Sequence, residues 1–271
     1  MQELSVGVKG FNIRYKESGR EHAVSTTKRH ILFIHGIGSS SDRWLDIPDA
    51  LARYFHTVSV DLIGFGGSDK PATMDYTIKN LAEFILEFMD KVKIDDGRTA
   101  IVGHSLGGYI AAEVAMQKRD TLERLVLIDS SGMLEKPTPL LEEYLDAALS
   151  PSYEKVKKVF EQMTTYPFAI LPIVIELFIK RMESPGAKHA FKSAFLDSTR
   201  NRIDLARLNL IGDMPALILW GSDDRVIPVE HSKLFKQIFR NAPVEIIENG
   251  GHAPFAEKPA LVCEILHSFM S

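Results

Sequence analysis

Six short, mostly apolar runs set the strictest limit on what this chain can fold into: Ile31–His35, Thr57–Asp61, Thr99–Val102, Leu125–Ile128, Ala216–Trp220 and Val244–Ile247. Each is too short for a buried helix, and most lack the polar alternation of a half-exposed strand. They read as strands covered on both faces. Two more strand candidates, Leu4–Val8 and Phe11–Glu17, flank Gly10. Phe11-Asn-Ile-Arg-Tyr-Lys alternates, as a half-exposed antiparallel strand does. Between the later runs, apolar residues recur at helical spacing, as in Ile78, Leu81, Ala82, Ile85, Leu86, Met89 and Val92, and Pro259 suits the start of a last helix carrying Leu261, Val262, Ile265, Leu266 and Phe269. Strands alternating with helices predict an α/β fold: a mostly parallel eight-stranded sheet with helices on both faces.

The alternation breaks once. From Met133 to Gly212 only helix-like segments occur, around Leu140–Leu149, Tyr153–Met163, Ile170–Met182 and Ala187–Ser198. An all-helical block between two strands of a parallel sheet reads as a cap, so residues 1–132 and 213–271 form the expected core domain and 133–212 a helical lid. Phe168, Ile170, Leu171, Ile173, Val174, Ile175, Leu177 and Phe178 are too many apolar residues for one helical face. Some are expected to pack on the core and some to roof an apolar pocket, the plainer alternative being a wholly buried helix.

The 271 residues carry 45% hydrophobic and 25% charged side chains, with a formal net charge of −4 and no block of like charges. Nucleic acid is therefore not an expected partner, since phosphate binding needs a concentrated basic surface. The one cysteine, Cys263, allows neither an internal disulfide nor a cysteine metal cage, and falls in the apolar register of the last helix. With no secretion signal legible at the start, the expected location is the cytoplasm. The most apolar stretch, Phe168–Ile179, contains Pro172 and Glu176 and falls short of the roughly 20 residues a membrane-spanning helix needs.

Gly103-His104-Ser105-Leu106-Gly107 follows a buried run directly and precedes a helix start rich in small residues. Strand, tight turn and helix are the context in which Gly-x-Ser-x-Gly presents a nucleophilic hydroxyl at the carboxyl edge of a sheet. Gly107, Gly108, Ala111 and Ala112 would let that helix lie close on the sheet, its dipole favouring negative charge near Ser105.

A serine hydroxyl needs a base to take its proton and an acid to orient that base. Of nine histidines, His252 stands out, because Glu248-Asn-Gly-Gly-His252-Ala-Pro-Phe is a turn just past the last strand. His22, His30, His56, His189, His231 and His267 suit solvated or packed roles. His104 belongs to the serine turn and would point away from the neighbouring hydroxyl. For the acid, Asp224 is favoured by the pattern Trp-Gly-x-x-Asp-x-x-x-Pro; Asp129, also at a strand end, and Asp223, better placed to cap the turn, are the other contenders.

The chain order Ser105, Asp224, His252 and the motifs His35-Gly36-Ile37-Gly38, Asp61-Leu-Ile-Gly-Phe-Gly-Gly-Ser68, Gly103–Gly107, Gly221-Ser-Asp-Asp224 and Gly251-His252 together resemble the α/β-hydrolase fold family. The resemblance covers nearly the whole chain except the helical block. It implies an oxyanion hole formed by the backbone amides of Ile37 and Leu106, and a structural role for His35 at its strand end. It implies a serine carboxylesterase acting on small to medium, apolar esters through an acyl-enzyme, with no metal or cofactor and a small-molecule ester as partner.

Carbon–carbon hydrolases of ring-cleavage products in the same family carry Asn before the serine and Trp after the histidine. Here those positions are His104 and Ala253, which puts that activity, like lactone cleavage, second. A nucleotide-binding reading rests on Gly36-Ile-Gly38-Ser-Ser-Ser41 after one strand and Asp61 ending the next. It is weakened by Ser41 standing in the third glycine position and by leaving Ser105, Asp224 and His252 unexplained. A non-catalytic, ligand-binding member of the fold is the remaining rival.

Overall fold

Lys9 and Gly10 take positive φ angles of 47° and 82°. That two-residue turn matches the right-handed twist of paired strands, and it joins β1 (Gln2–Val8) to β2 (Phe11–Ser18) in an antiparallel hairpin. The computed structural model describes residues 1–20, 29–166 and 171–271. His22, Phe168 and Ile170 therefore lie outside the described residues.

The hairpin continues antiparallel onto β4 (His56–Val60), and the rest of the sheet is parallel: β3 (His30–Ile34), β5 (Thr99–His104), β6 (Leu122–Ile128), β7 (Ala216–Gly221) and β8 (Val244–Ile247). The order across the eight strands is β1-β2-β4-β3-β5-β6-β7-β8. The apolar runs are strands for the expected reason: β3, β4, β5 and β7 are buried along their whole length. Their side chains feed two cores by alternation. Leu32 and Ile34 point into one, Ile31 and Phe33 into the other.

On the first face lie α2 (Ile78–Val92) and α3 (Leu106–Gln117); on the other lie α1 (Ile47–Leu51) and, at the C-terminus, α11 (Pro259–Met270). Thr77 caps α2 by accepting from the Asn80 amide, and Leu81, Ala82, Ile85 and Met89 bury the stripe that follows. Leu81, Ile85 and Met89, each buried, contribute about 1.5–3 kcal/mol apiece. Cys263 packs half-buried against the second core, as its register suggests.

Between β6 and β7 the described residues form only helices: α4 (Pro139–Leu149), α5 (Tyr153–Met163), α6 (Pro172–Glu183), α7 (Ala187–Arg200) and α8 (Leu205–Asn209). Thr138 and Ser152 cap α4 and α5 through their hydroxyls. Two short helices, α9 (His231–Ile238) and α10 (Pro254–Glu257), follow β7 and β8.

The expectation for α6 needs correction. Ile175 and Phe178 are buried, but Leu171, Ile173 and Leu177, expected to pack or to roof the pocket, are 57%, 54% and 44% exposed. A helix lying across the mouth of a core has one face inward, so the surplus apolar residues turn to solvent. Among the described residues no helix is long and apolar enough to cross a membrane.

Candidate active site

Parallel strands bring their carboxyl ends to one edge, and the turns after β3, β5, β6, β7 and β8 meet there. Ser105 stands between β5 and α3 with φ 53° and ψ −119°. A non-glycine residue in that region costs on the order of 1–3 kcal/mol and persists only where its surroundings hold it. Here its amide donates to the Ile128 carbonyl, and its own carbonyl accepts from the Gly108 and Ser131 amides. Gly103 and Gly107 are required for a different reason. A Cβ on Gly103 would collide with the Gly107 carbonyl, and one on Gly107 with the Ile34 carbonyl. The turn is tight because α3 rests directly on β3.

The Ser105 hydroxyl lies 3.0 Å from His252 Nε2, and His252 Nδ1 lies 2.8 Å from Asp224 Oδ2. With Nδ1–H donating to the carboxylate, a neutral imidazole turns its Nε2 lone pair to the serine O–H. All three side chains are buried. The other Asp224 oxygen accepts from the Val226 and Ile227 amides at 2.8 and 3.0 Å. This corrects the expectation for Asp223. The turn is capped by Asp224 itself, while Asp223 is exposed and accepts from the Ser222 hydroxyl.

Asp129 is fully buried, with one oxygen accepting from the Gly221 amide at 2.8 Å and the other without a hydrogen-bond partner among the described residues. Burial first, and the neighbouring Asp224 charge second, push its carboxyl well above the usual range. It links β6 to β7 but does not reach the imidazole as Asp224 does. His104 donates from Nε2 to the His252 carbonyl at 2.6 Å and packs against Trp44 and Phe255. Burial holds its pKa well below the ordinary histidine value.

His35 accepts the Leu62 amide at Nε2, which leaves Nδ1–H to donate to the Gly36 carbonyl. Its role is to fix the turn after β3, as the resemblance implied. Asp61 accepts from the Ser41 and Gly67 amides and from Arg14, at 2.6, 2.7 and 2.8 Å. Its oxygens are committed to holding loops together and offer no ribose a partner. The Ile37 and Leu106 amides flank Ser105 and have no hydrogen-bond partner among the described residues. Tyr144 of α4 donates to the Ile37 carbonyl at 3.1 Å, fixing the orientation of that peptide.

Ser105 and His252 open into a cavity of about 130 Å³ between the sheet edge and the helices above it. Leu141, Phe160, Met163, Val174, Phe178 and Val226 give it an apolar wall, and Arg43, Arg181 and Glu257 add charge. Val174 and Phe178 are thus the pocket-roofing residues expected of α6. Sequence reasoning singled out neither Tyr144 nor the three charged residues, because single residues in helices and turns carry no spacing signal. Among the described residues no group of three or more His, Cys, Asp or Glu side chains is placed to hold a metal ion.

Residues 31–265 match the family described as the Alpha/beta hydrolase family. An uncharacterized protein of Mycobacterium tuberculosis is 30% identical over 258 residues, covering 89% of this chain and 74% of its own. Lipase 3 of Moraxella sp. is 29% identical over 240 residues, covering 86% and 74%. Among solved structures, the meta-cleavage product hydrolase of Pseudomonas fluorescens IP01 superposes with a TM-score of 0.85 over 98% of this chain and 96% of that one. At 21% identity that likeness speaks for the fold alone.

Proposed function

The chain belongs to the alpha/beta hydrolase family, and within it we propose that this protein is a serine carboxylesterase acting on small to medium esters with apolar chains. One observation carries this reading: the unbroken line from Asp224 through His252 to the strained Ser105 hydroxyl, at 2.8 and 3.0 Å. In this mechanism His252 takes the proton as Ser105 Oγ attacks the ester carbonyl, and Asp224 stabilises the imidazolium. The tetrahedral oxyanion is received by the Ile37 and Leu106 amides, each such donor contributing about 3–4 kcal/mol to the transition state. His252 then protonates the departing alcohol. Water, activated by the same imidazole, cleaves the acyl-enzyme.

The unpaired state of both amides supports their assignment, since Leu106 directly follows Ser105 and Ile37 lines the cavity into which Ser105 opens. A relative named as a lipase supports ester chemistry. On this reading residues 1–132 and 213–271 are the catalytic core and 133–212 the lid, whose Val174 and Phe178 set chain-length preference. The lone cysteine fits a reducing, cytoplasmic setting.

A panel of 4-nitrophenyl esters of increasing acyl length, run beside a ring-cleavage dienoate and a lactone, tests the assignment. The expected result is kcat/KM highest for a short to medium ester. Preferential turnover of the dienoate or the lactone would overturn it.

A further inference from the structure

Arg43 lies in the short 3-10 turn Ser41–Trp44, directly after the oxyanion loop, and lines the same cavity as Ser105 and His252. Its backbone amide donates to Ser40, but its guanidinium makes no hydrogen bond or ion pair with any described residue. The carboxylates nearby are committed elsewhere. Asp42, next in the chain, is held by Arg14 and Lys16 and faces Arg181 at 3.6 Å. Glu257, across the cavity, accepts from the Gly251 amide with one oxygen and from the Thr165 amide and hydroxyl with the other. The Tyr144 hydroxyl is spent on Ile37.

A cation drawn out of bulk water without a counter-ion is unfavourable, and burial lowers the pKa of Arg43 accordingly. Glu257 offsets part of that cost through space, while Arg181 adds to it. Arg43 is thus a cation in the substrate cavity whose guanidinium no described side chain has engaged, in reach of a substrate anion.

We propose that the Arg43 guanidinium is an anion subsite, and that the preferred esters are amphiphilic, with an apolar chain against Phe160, Val174 and Phe178 and a free carboxylate paired with Arg43. A guanidinium pairs bidentately with a carboxylate or a phosphate, and a carboxylate is chosen because one cation balances one negative charge. A dianion calls for a second free cation, and Arg181 is already drawn to Asp42. This inference deepens the esterase reading and rests on it for the word ester, but the carboxylate contact can be tested without turnover.

Titration calorimetry of the Ser105→Ala protein with monomethyl glutarate and with dimethyl glutarate separates the two. The expected result is at least tenfold tighter binding of the monoanion, lost when Arg43→Met is added and only partly restored by Arg43→Lys, which keeps the charge but not the fork. Far-UV circular dichroism melts check that each variant is folded. Equal binding of the two esters, or tighter binding of methyl phosphate than of monomethyl glutarate, overturns the proposal. In the wild type, the ratio of kcat/KM for mono-4-nitrophenyl glutarate over 4-nitrophenyl pentanoate should exceed ten and fall at least tenfold in Arg43→Met. If neither ester turns over while monomethyl glutarate still binds through Arg43, the esterase reading fails and the anion subsite stands.

Discussion

The backbone amide of His252 donates to the carbonyl oxygen of Met163, the last residue of α5, at 2.8 Å. The histidine loop is thereby tied to the helical layer above it, and Glu257 fastens the same joint by bridging Gly251 to Thr165. Glu257→Ala should free both segments, removing three acceptor contacts. The expected outcome is a loss of about 1–3 kcal/mol in stability and about a tenfold fall in kcat, read by urea unfolding and ester kinetics. An unchanged kcat would show that this joint does not hold His252 in place.

Asp129 and Asp224 share the region between β6 and β7, yet only Asp224 reaches the imidazole. Asp129→Asn keeps an oxygen for the Gly221 amide and removes a carboxyl that burial and Asp224 disfavour when ionised. Ester turnover should stay within about threefold and the melting temperature should hold or rise. Asp224→Asn, by contrast, should lower kcat by roughly 10⁴, as expected when the acid that fixes the histidine tautomer is lost. The opposite pattern would transfer the acid role to Asp129.

Asp61 collects two amides and the Arg14 guanidinium with no exposure to solvent. Asp61→Asn places an N–H₂ among donors and weakens the charge pairing. The chain should lose about 3 kcal/mol, seen as a lower urea midpoint at unchanged slope. A shift under about 0.5 kcal/mol, the range of an ordinary surface change, would mean the network is not structural.

Acid should destabilise the fold well before its carboxylates titrate. Burial depresses the pKa values of His30, His35, His104 and His231, so the unfolded chain takes up protons first as pH falls below about 6.5. Their stabilising contribution is complete above that pH and is lost on acidification, at up to about 1.4 kcal/mol per pH unit for each histidine. Asp129, with its pKa raised, works in the opposite sense, losing stability as pH rises above about 4. Four histidines against one aspartate predict a net fall in melting temperature from pH 7 to pH 5, steeper in Asp129→Asn. A flat profile would contradict the burial argument.

The fold and the central site were legible because they rest on local rules. A continuous apolar run such as Ile31–Ile34 has no stable place except between two covered faces, and Gly103-x-Ser105-x-Gly107 has few uses besides a tight strand-to-helix turn. Strand ends were less sharp: β3 stops at Ile34, where the His35 ring begins to serve the turn. Turn chemistry points to Asp223 as the cap and Asp224 as the acid, whereas Asp224 alone both caps the turn and orients His252. The exposed Leu171, Ile173 and Leu177 were misread, since composition does not say how far a helix sinks. Arg43 and Glu257 left no sequence trace, for their meaning lies in which partners the tertiary fold withholds or supplies.

The central claim is that Ser105 carries the acyl group. Acid-quenched intact-mass spectrometry during turnover of 4-nitrophenyl acetate, followed by peptide mapping, reads this directly. The wild type should show one acetyl adduct on the peptide containing Ser105, and Ser105→Ala should show no adduct and at least a thousandfold lower kcat. Turnover by Ser105→Ala at the wild-type rate, or an adduct mapping to another residue, would contradict the account.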